Sequence, residues 1–202
     1  MNVTPENRLV VVAGLPGAGK STLLARLADG PELDPAGAAP RVLDSDLLRR
    51  WFARRLPRVP YRAYRGAVHA VHALWTLLQV MLGPRHGADA LLVHATTRGA
   101  GQRALARFAR AYGWRPVLVV LDVPVADALA GQADRGRVVN EHGFARHVRR
   151  WRAARSGIAP AAGPAAWPWD EVRVVGRQTA LAQVRELLRR RLGTAAEPAA
   201  RR

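Results

Sequence analysis

The chain has 202 residues, which suits one α/β domain with its own core and leaves little room for a second folding unit. At 49% hydrophobic residues it is too apolar for a disordered chain, and with no cysteine it can hold neither disulfides nor thiolate metal sites. The formal net charge of +17 draws anionic partners, although 31 of the 32 basic residues are arginine in an Ala-, Gly- and Pro-rich chain, a composition that high-GC codon usage also produces.

In chain order, Leu9–Ala13 is a continuous apolar run ending at glycine, the pattern of a buried parallel strand. Lys20–Ala28 reads as a helix with Leu23, Leu24 and Leu27 on one face. A Pro/Gly/Ala loop leads to a second strand at Arg41–Asp44, then a helix at Asp46–Arg55 that Pro57 and Pro60 interrupt. From Tyr61 to Leu82, Val68, Val71, Leu74, Trp75, Leu78 and Met81 recur at helical spacing. Strands follow at Ala90–Ala95, Val117–Asp122 and Val172–Val175, and helices at Gln102–Tyr112, Val125–Ala133, Gly143–Arg155 and Thr179–Leu192. Residues 193–202 read as a frayed tail, so residues 1–192 form a single domain. Strands alternating with helices imply an α/β fold, a five-stranded parallel sheet covered on both faces. No apolar run is long enough to span a bilayer and the N-terminus lacks a basic signal-peptide region, so a cytoplasmic location is expected.

Gly14-Leu15-Pro16-Gly17-Ala18-Gly19-Lys20-Ser21 matches G-x-x-x-x-G-K-[ST] in full, between a strand and a helix. Such a P-loop wraps its N–H groups around phosphates, and the helix N-terminus adds partial positive charge. Lys20 is expected to bridge the β- and γ-phosphates of ATP, Ser21 to ligate Mg²⁺, and Thr22 to lie near the α-phosphate. Lysine persists at position 20 in a chain that uses arginine everywhere else.

The next segment, Leu43-Asp44-Ser45-Asp46-Leu47-Leu48-Arg49, puts two carboxylates at the C-terminal edge of the second strand, where open α/β sheets bind ligands. Alternate residues of an extended end share a face, so one carboxylate can face Mg²⁺ while the other takes a hydroxyl proton. Asp46 can equally cap the following helix.

The order strand, P-loop, helix, strand, D-x-D-x-x-R resembles the polynucleotide-kinase-like group of small, AAA-type P-loop kinases. Its relatives include gluconate and shikimate kinases, chloramphenicol phosphotransferase and zeta-type toxins. The resemblance spans about residues 8–190 and implies a helical lid at about 131–142, with acceptor-side helices at about 46–82. It makes Asp46 the general base, places Arg49 on the acceptor and turns Asp44 toward Mg²⁺. Ala133-Asp134-Arg135-Gly136-Arg137-Val138-Val139 resembles the family's lid, whose arginines, here Arg135 and Arg137, neutralise charge on the transferred phosphoryl group. Two positions depart from the pattern. Gly131 stands where many members carry a further arginine, so the lid is depleted or supplied from elsewhere. His94 replaces the aspartate of the third strand, where it can bind the acceptor, act as an alternative base or rest neutral in the core.

Arg49, Arg50, Arg54, Arg55, Arg58, Arg62 and Arg65 fall within 17 residues, interleaved with Trp51, Phe52, Tyr61 and Tyr64, and no Asp or Glu occurs from Leu47 to Ala88. Arginine attracts phosphate or carboxylate and aromatic rings cover bases or apolar groups, so Arg49, His94, Tyr61 and Tyr64 are candidate acceptor contacts. The expected activity is Mg²⁺- and ATP-dependent phosphorylation of a hydroxyl on a small metabolite or antibiotic, with an anionic one favoured. A polynucleotide 5′-hydroxyl kinase and a nucleotide-binding switch without phosphotransfer are the alternatives. Trp167 and Trp169, in the loop before the last strand, lie where relatives contact adenine, or else pack in that loop.

Overall fold

The computed structural model describes residues 7–29, 40–84, 90–95, 99–134, 141–156 and 168–189. Its strands are β1 (Arg8–Gly14), β2 (Arg41–Leu43), β3 (Ala90–His94), β4 (Arg115–Leu121) and β5 (Glu171–Val175). Its helices are α1 (Lys20–Ala28), α2 (Ser45–Arg55), α3 (Tyr61–Met81), α4 (Gly99–Ala111), α5 (Val125–Ala133), α6 (Glu141–Ser156) and α7 (Ala180–Arg189).

A run such as Leu9-Val10-Val11-Val12 has no polar face to give to water, so it must sit inside. All seven residues of β1 are buried, at the centre of a parallel sheet ordered β2-β3-β1-β4-β5. Val11 pairs with Val93 on one side and Leu118 on the other, while β2 and β5 close the edges. Leu23, Leu24 and Leu27 of α1 and Val184, Leu187 and Leu188 of α7 join this core. Helices on both faces complete the expected α/β arrangement. The candidate chemistry lies where β1, β2 and β3 end, because parallel strands deliver their loops to one edge.

Two expectations change. The second strand stops at Leu43, and Asp44 is the N-cap of α2, its Oδ1 accepting from the Asp46 backbone N–H at 2.9 Å. The two aspartates therefore do not alternate along a strand end: one caps the helix and the other rides on its first turn. The cap wins because Asp44 satisfies an N–H that the helix start would otherwise orphan.

The second change is on α3. Its apolar residues recur as expected, but in the C-terminal half they point outward. Thr76 and Gln79 are buried, at 4% and 6% exposure, while Leu74 is 69% exposed. Partners for the polar face hold this orientation. Arg41 Nη1 donates to Gln79 Oε1 at 2.8 Å, with its guanidinium over the Trp114 ring. Thr76 Oγ1 donates to the His72 carbonyl at 2.8 Å, His72 Nε2 lies 3.3 Å from the Leu43 carbonyl oxygen, and Trp114 Nε1 donates to the Val80 carbonyl at 3.0 Å. Trp169 packs into the core, and Trp167 lies outside the described residues. Among the described residues no helix is long and apolar enough to cross a membrane.

Burial holds the His72 imidazole below its ordinary 6.5, with the Leu43 carbonyl and the Asp44 charge opposing the shift. The unfolded chain takes up this proton at a higher pH than the folded one. The contribution of neutral His72 to stability is thus fully present above pH 6.5 and is lost as pH falls below it. Thermal unfolding of wild type across pH 5–8 should show this decline, and His72→Asn should make it shallower.

Candidate active site

The loop from Gly14 to Lys20 turns sharply out of β1 into α1, with Ala18 N–H donating to the Leu15 carbonyl at 3.1 Å and Gly19 forming the N-cap of α1. Lys20 is buried, and its Nζ donates to the Gly14 and Leu15 carbonyls at 2.9 and 2.8 Å. An ammonium held by two neutral carbonyls at a helix N-terminus is placed to exchange them for phosphate oxygens.

The P-loop is pinned by α5. Gly17 has φ +87°, and a Cβ there would come within 1.9 Å of the Ala128 carbonyl oxygen. Reciprocally, a Cβ on Gly131 would come within 2.5 Å of the Gly17 carbonyl oxygen, so no side chain fits there without moving the loop. Gln132 Nε2 adds a bond to the Pro16 carbonyl at 3.3 Å. This contact is the physical reason for the glycine at 131.

An arginine nevertheless occupies this neighbourhood. Arg177, just beyond β5, donates through Nη2 to the Gly17 carbonyl at 3.2 Å and the Asp127 carbonyl at 3.1 Å. It helps line a cavity of about 300 Å³ together with Gly19, Thr22, Arg26, Gly131 and Leu181. Sequence reasoning missed Arg177 because one arginine among 31 carries no signal. The lack of one at Gly131 was the only hint that another element supplies it.

On the other side of the P-loop, Ser21 Oγ donates to Asp46 Oδ2 at 3.3 Å, and Arg49 Nε lies 3.4 Å from Asp46 Oδ1. The P-loop serine, the aspartate and the arginine thus meet through contacts that join α1 to the first turns of α2. The Ser21 hydroxyl is a hard oxygen donor at the start of α1, of the kind that suits Mg²⁺ beside a nucleotide, and Asp46 lies within hydrogen-bond reach of it. Asp44 is buried with one oxygen engaged as the α2 cap, a geometry that fits a positioning group better than a metal ligand.

The acceptor-side candidates separate. Arg49 lies 5.7 Å over the ring of exposed Tyr61, and His94 Nδ1 lies 3.2 Å from Ser45 Oγ at the start of α2. Tyr64 does not line a surface: it is buried, with its ring stacked on Phe52 at 5.8 Å, and joins α3 to α2. Of α3, it is the N-terminal end that adjoins the candidate site, through Tyr61. Arg135 and Arg137 lie outside the described residues.

His147 on α6 is a further group that the sequence did not flag. Burial lowers its pKa first, and the charges of Arg65, Arg150, Lys20 and Arg146 push it further down. The imidazole thus feels positive charge from the P-loop, from α3 and from its own helix.

A model of the AAA domain family matches residues 9–160. No curated protein matches the sequence. Among solved structures the chain is similar to shikimate kinase from Acinetobacter baumannii in complex with shikimate, at 17% identity over 93% of this chain and 94% of that one, with TM-score 0.53. It is also similar to the tunicamycin resistance protein of Deinococcus radiodurans, at 16% identity over 94% and 98%, with TM-score 0.53. A chain of the PezAT chromosomal toxin–antitoxin system of Streptococcus pneumoniae matches at 14% identity over 86% and 68%, with TM-score 0.57. At such identities the likeness carries the fold, which is that of the small P-loop kinases.

Gly131→Ala should push on the Gly17 carbonyl and weaken ATP binding by at least about tenfold, or ~1.4 kcal/mol. Arg177→Ala, which removes only the guanidinium and its stem, should weaken it less. Calorimetric titration of ATP into each variant checks the order.

Proposed function

The chain belongs to the AAA domain family, and from that membership and the site geometry we propose that it is an ATP- and Mg²⁺-dependent kinase that phosphorylates a hydroxyl of a small anionic metabolite or antibiotic. The observation that carries this reading is the meeting of Ser21, Asp46 and Arg49 beside Lys20, with contacts of 3.3 and 3.4 Å. A P-loop alone serves switches and motors equally well. A carboxylate poised beside the P-loop serine supplies a proton acceptor that a kinase needs.

Mg²⁺, bound with the nucleotide and held from the protein side by Ser21, would offset charge on the β- and γ-phosphates. The chain's own residues do the rest. The amides from Gly14 to Ser21 and the Lys20 ammonium hold the phosphates, Thr22 lies beside the α-phosphate, and Arg177 lies at the edge of the nucleotide cavity. Arg49, Tyr61 and His94 orient the acceptor. Asp46 takes the hydroxyl proton as that oxygen bonds to the γ-phosphorus, and the bond from that phosphorus to the bridging oxygen breaks to release ADP. Arg135 and Arg137 offset the charge of the phosphoryl group in flight. Asp44 fixes the turn that aims Asp46. A cytoplasmic location would put ATP within reach.

The positive charges of Arg65, Arg150, Lys20 and Arg146, all felt at His147, favour an anionic acceptor. A polynucleotide 5′-hydroxyl is the second reading, favoured by exposed Trp51 with the Arg55 guanidinium 4.1 Å over its ring.

The test is transfer of γ-labelled phosphate from ATP to hydroxylated metabolites, antibiotics and 5′-hydroxyl oligonucleotides. Asp46→Asn should bind ATP as wild type does and lose transfer by roughly 10²- to 10⁴-fold. Arg65→Ala should raise KM for the acceptor about tenfold and leave kcat nearly unchanged. Label on the oligonucleotide would establish the second reading. An Asp46→Asn variant as fast as wild type would remove Asp46 as base and turn attention to His94.

A further inference from the structure

The C-terminal half of α3 is amphipathic in the reverse sense. Its polar side chains Thr76 and Gln79 are buried against the fold, while Val71, Leu74, Trp75, Leu78, Met81 and Leu82 are exposed. With 100° between successive helical residues these six fall within about 120° of one another, a single stripe about three turns long. Nothing in the proposed phosphotransfer uses it.

Their exposed fractions, from 40% to 69%, correspond to roughly 600 Å² of apolar surface, at the top of what a monomer carries as its largest patch. Two such faces brought together would bury roughly 1,200 Å², the lower bound for a specific, stable protein interface. Area alone does not choose the partner, but charge does. Between Gly66 and Pro84 the sequence carries no arginine, lysine, aspartate or glutamate, although the chain as a whole carries +17. Over most of its surface a second copy would be repelled. Here two copies can meet without opposing charges.

The same neutrality argues against a membrane surface. Helices that lie in the headgroup region set Lys and Arg on their polar side, and this helix has instead Thr76 and Gln79 turned into its own fold. A single helical stripe is also self-complementary. Turned antiparallel about a two-fold axis, the residues near position 78 face their own copies, and Leu74 and Trp75 of one chain meet Met81 and Leu82 of the other.

We propose that the exposed apolar face of α3 is a homodimer interface, formed by antiparallel packing of this stripe against the same stripe of a second copy.

Sedimentation equilibrium of the full chain at about 10–50 μM should give twice the 22.0 kDa monomer mass. The mass should hold or rise as salt is increased, because salt screens the repulsion between the two +17 chains. Leu74→Glu with Leu78→Glu should give a monomer with unchanged far-UV circular dichroism and ATP affinity, since both side chains are exposed and the proposed phosphotransfer uses neither. The chain has no cysteine, so Leu78→Cys introduces a single thiol that should cross-link to its copy on mild oxidation. A wild-type monomer at 50 μM would overturn the proposal, and its co-pelleting with phosphatidylcholine–phosphatidylglycerol vesicles would assign the face to a membrane. A dimer that survives Leu74→Glu with Leu78→Glu and leaves Leu78→Cys uncross-linked would place the interface elsewhere and equally overturn it.

Discussion

Two backbones touch where α5 meets the P-loop, and the candidate site is arranged around that contact. Gly17 leaves room for the Ala128 carbonyl of α5, and Gly131 leaves room for the Gly17 carbonyl of the loop. With α5 this close, the loop cannot swing away from β4, and its amides are held over the phosphate position before any nucleotide arrives. Preorganisation of this kind spares the ordering cost at the moment of binding. It also dictates where side chains can come from. An arginine cannot stand at 131, so Arg177 enters from beyond β5 and ties the same two elements through carbonyls of Gly17 and Asp127.

The second organising influence is charge. The α2 cap by Asp44 turns Asp46 toward Ser21, and Arg49, one turn on, closes over the same carboxylate. Arg65, Arg150, Lys20 and Arg146 add positive charge that is felt at His147. Such a field raises the local concentration of anions before any specific contact forms, and it weakens with ionic strength. The stacking of Phe52 on Tyr64 joins α2 to α3, with Tyr61 packed edge-on against Tyr64 along α3, and holds together the two helices that carry part of this charge.

The parts legible in the sequence were those with local causes. The P-loop is one because phosphate binding needs glycine, lysine and serine at fixed spacing within a single turn. The strands are another, since apolar runs such as Leu9–Ala13 have one place to go. What escaped depends on tertiary contact. Periodicity located the apolar stripe of α3 correctly but does not say whether a stripe faces in or out; that was decided by Arg41 and Trp114 receiving the polar side. Tyr64 looked like an acceptor contact in a run of rings and arginines, and Phe52 took it into packing. The sequence lets Asp44 and Asp46 share one face of an extended strand end and offers Asp46 as the cap, while the unfilled N–H at the start of α2 makes Asp44 the cap. His147 lies some hundred residues from the motifs and reaches them only through the fold.

Lys20 is the chain's only lysine, is 6% exposed, and has its amine tied to two P-loop carbonyls. Every other cationic side chain is a guanidinium or an imidazole, so lysine-directed chemistry finds one side chain here and finds it sheltered. Acylating reagents and acetyl donors would report on a single event, the loosening of the phosphate loop, against a background set only by the terminal amine. Neutralising that one amine would also remove the positive charge held at the start of α1. A protein so rich in positive charge thereby has a single side chain at which amine acylation can remove a charge.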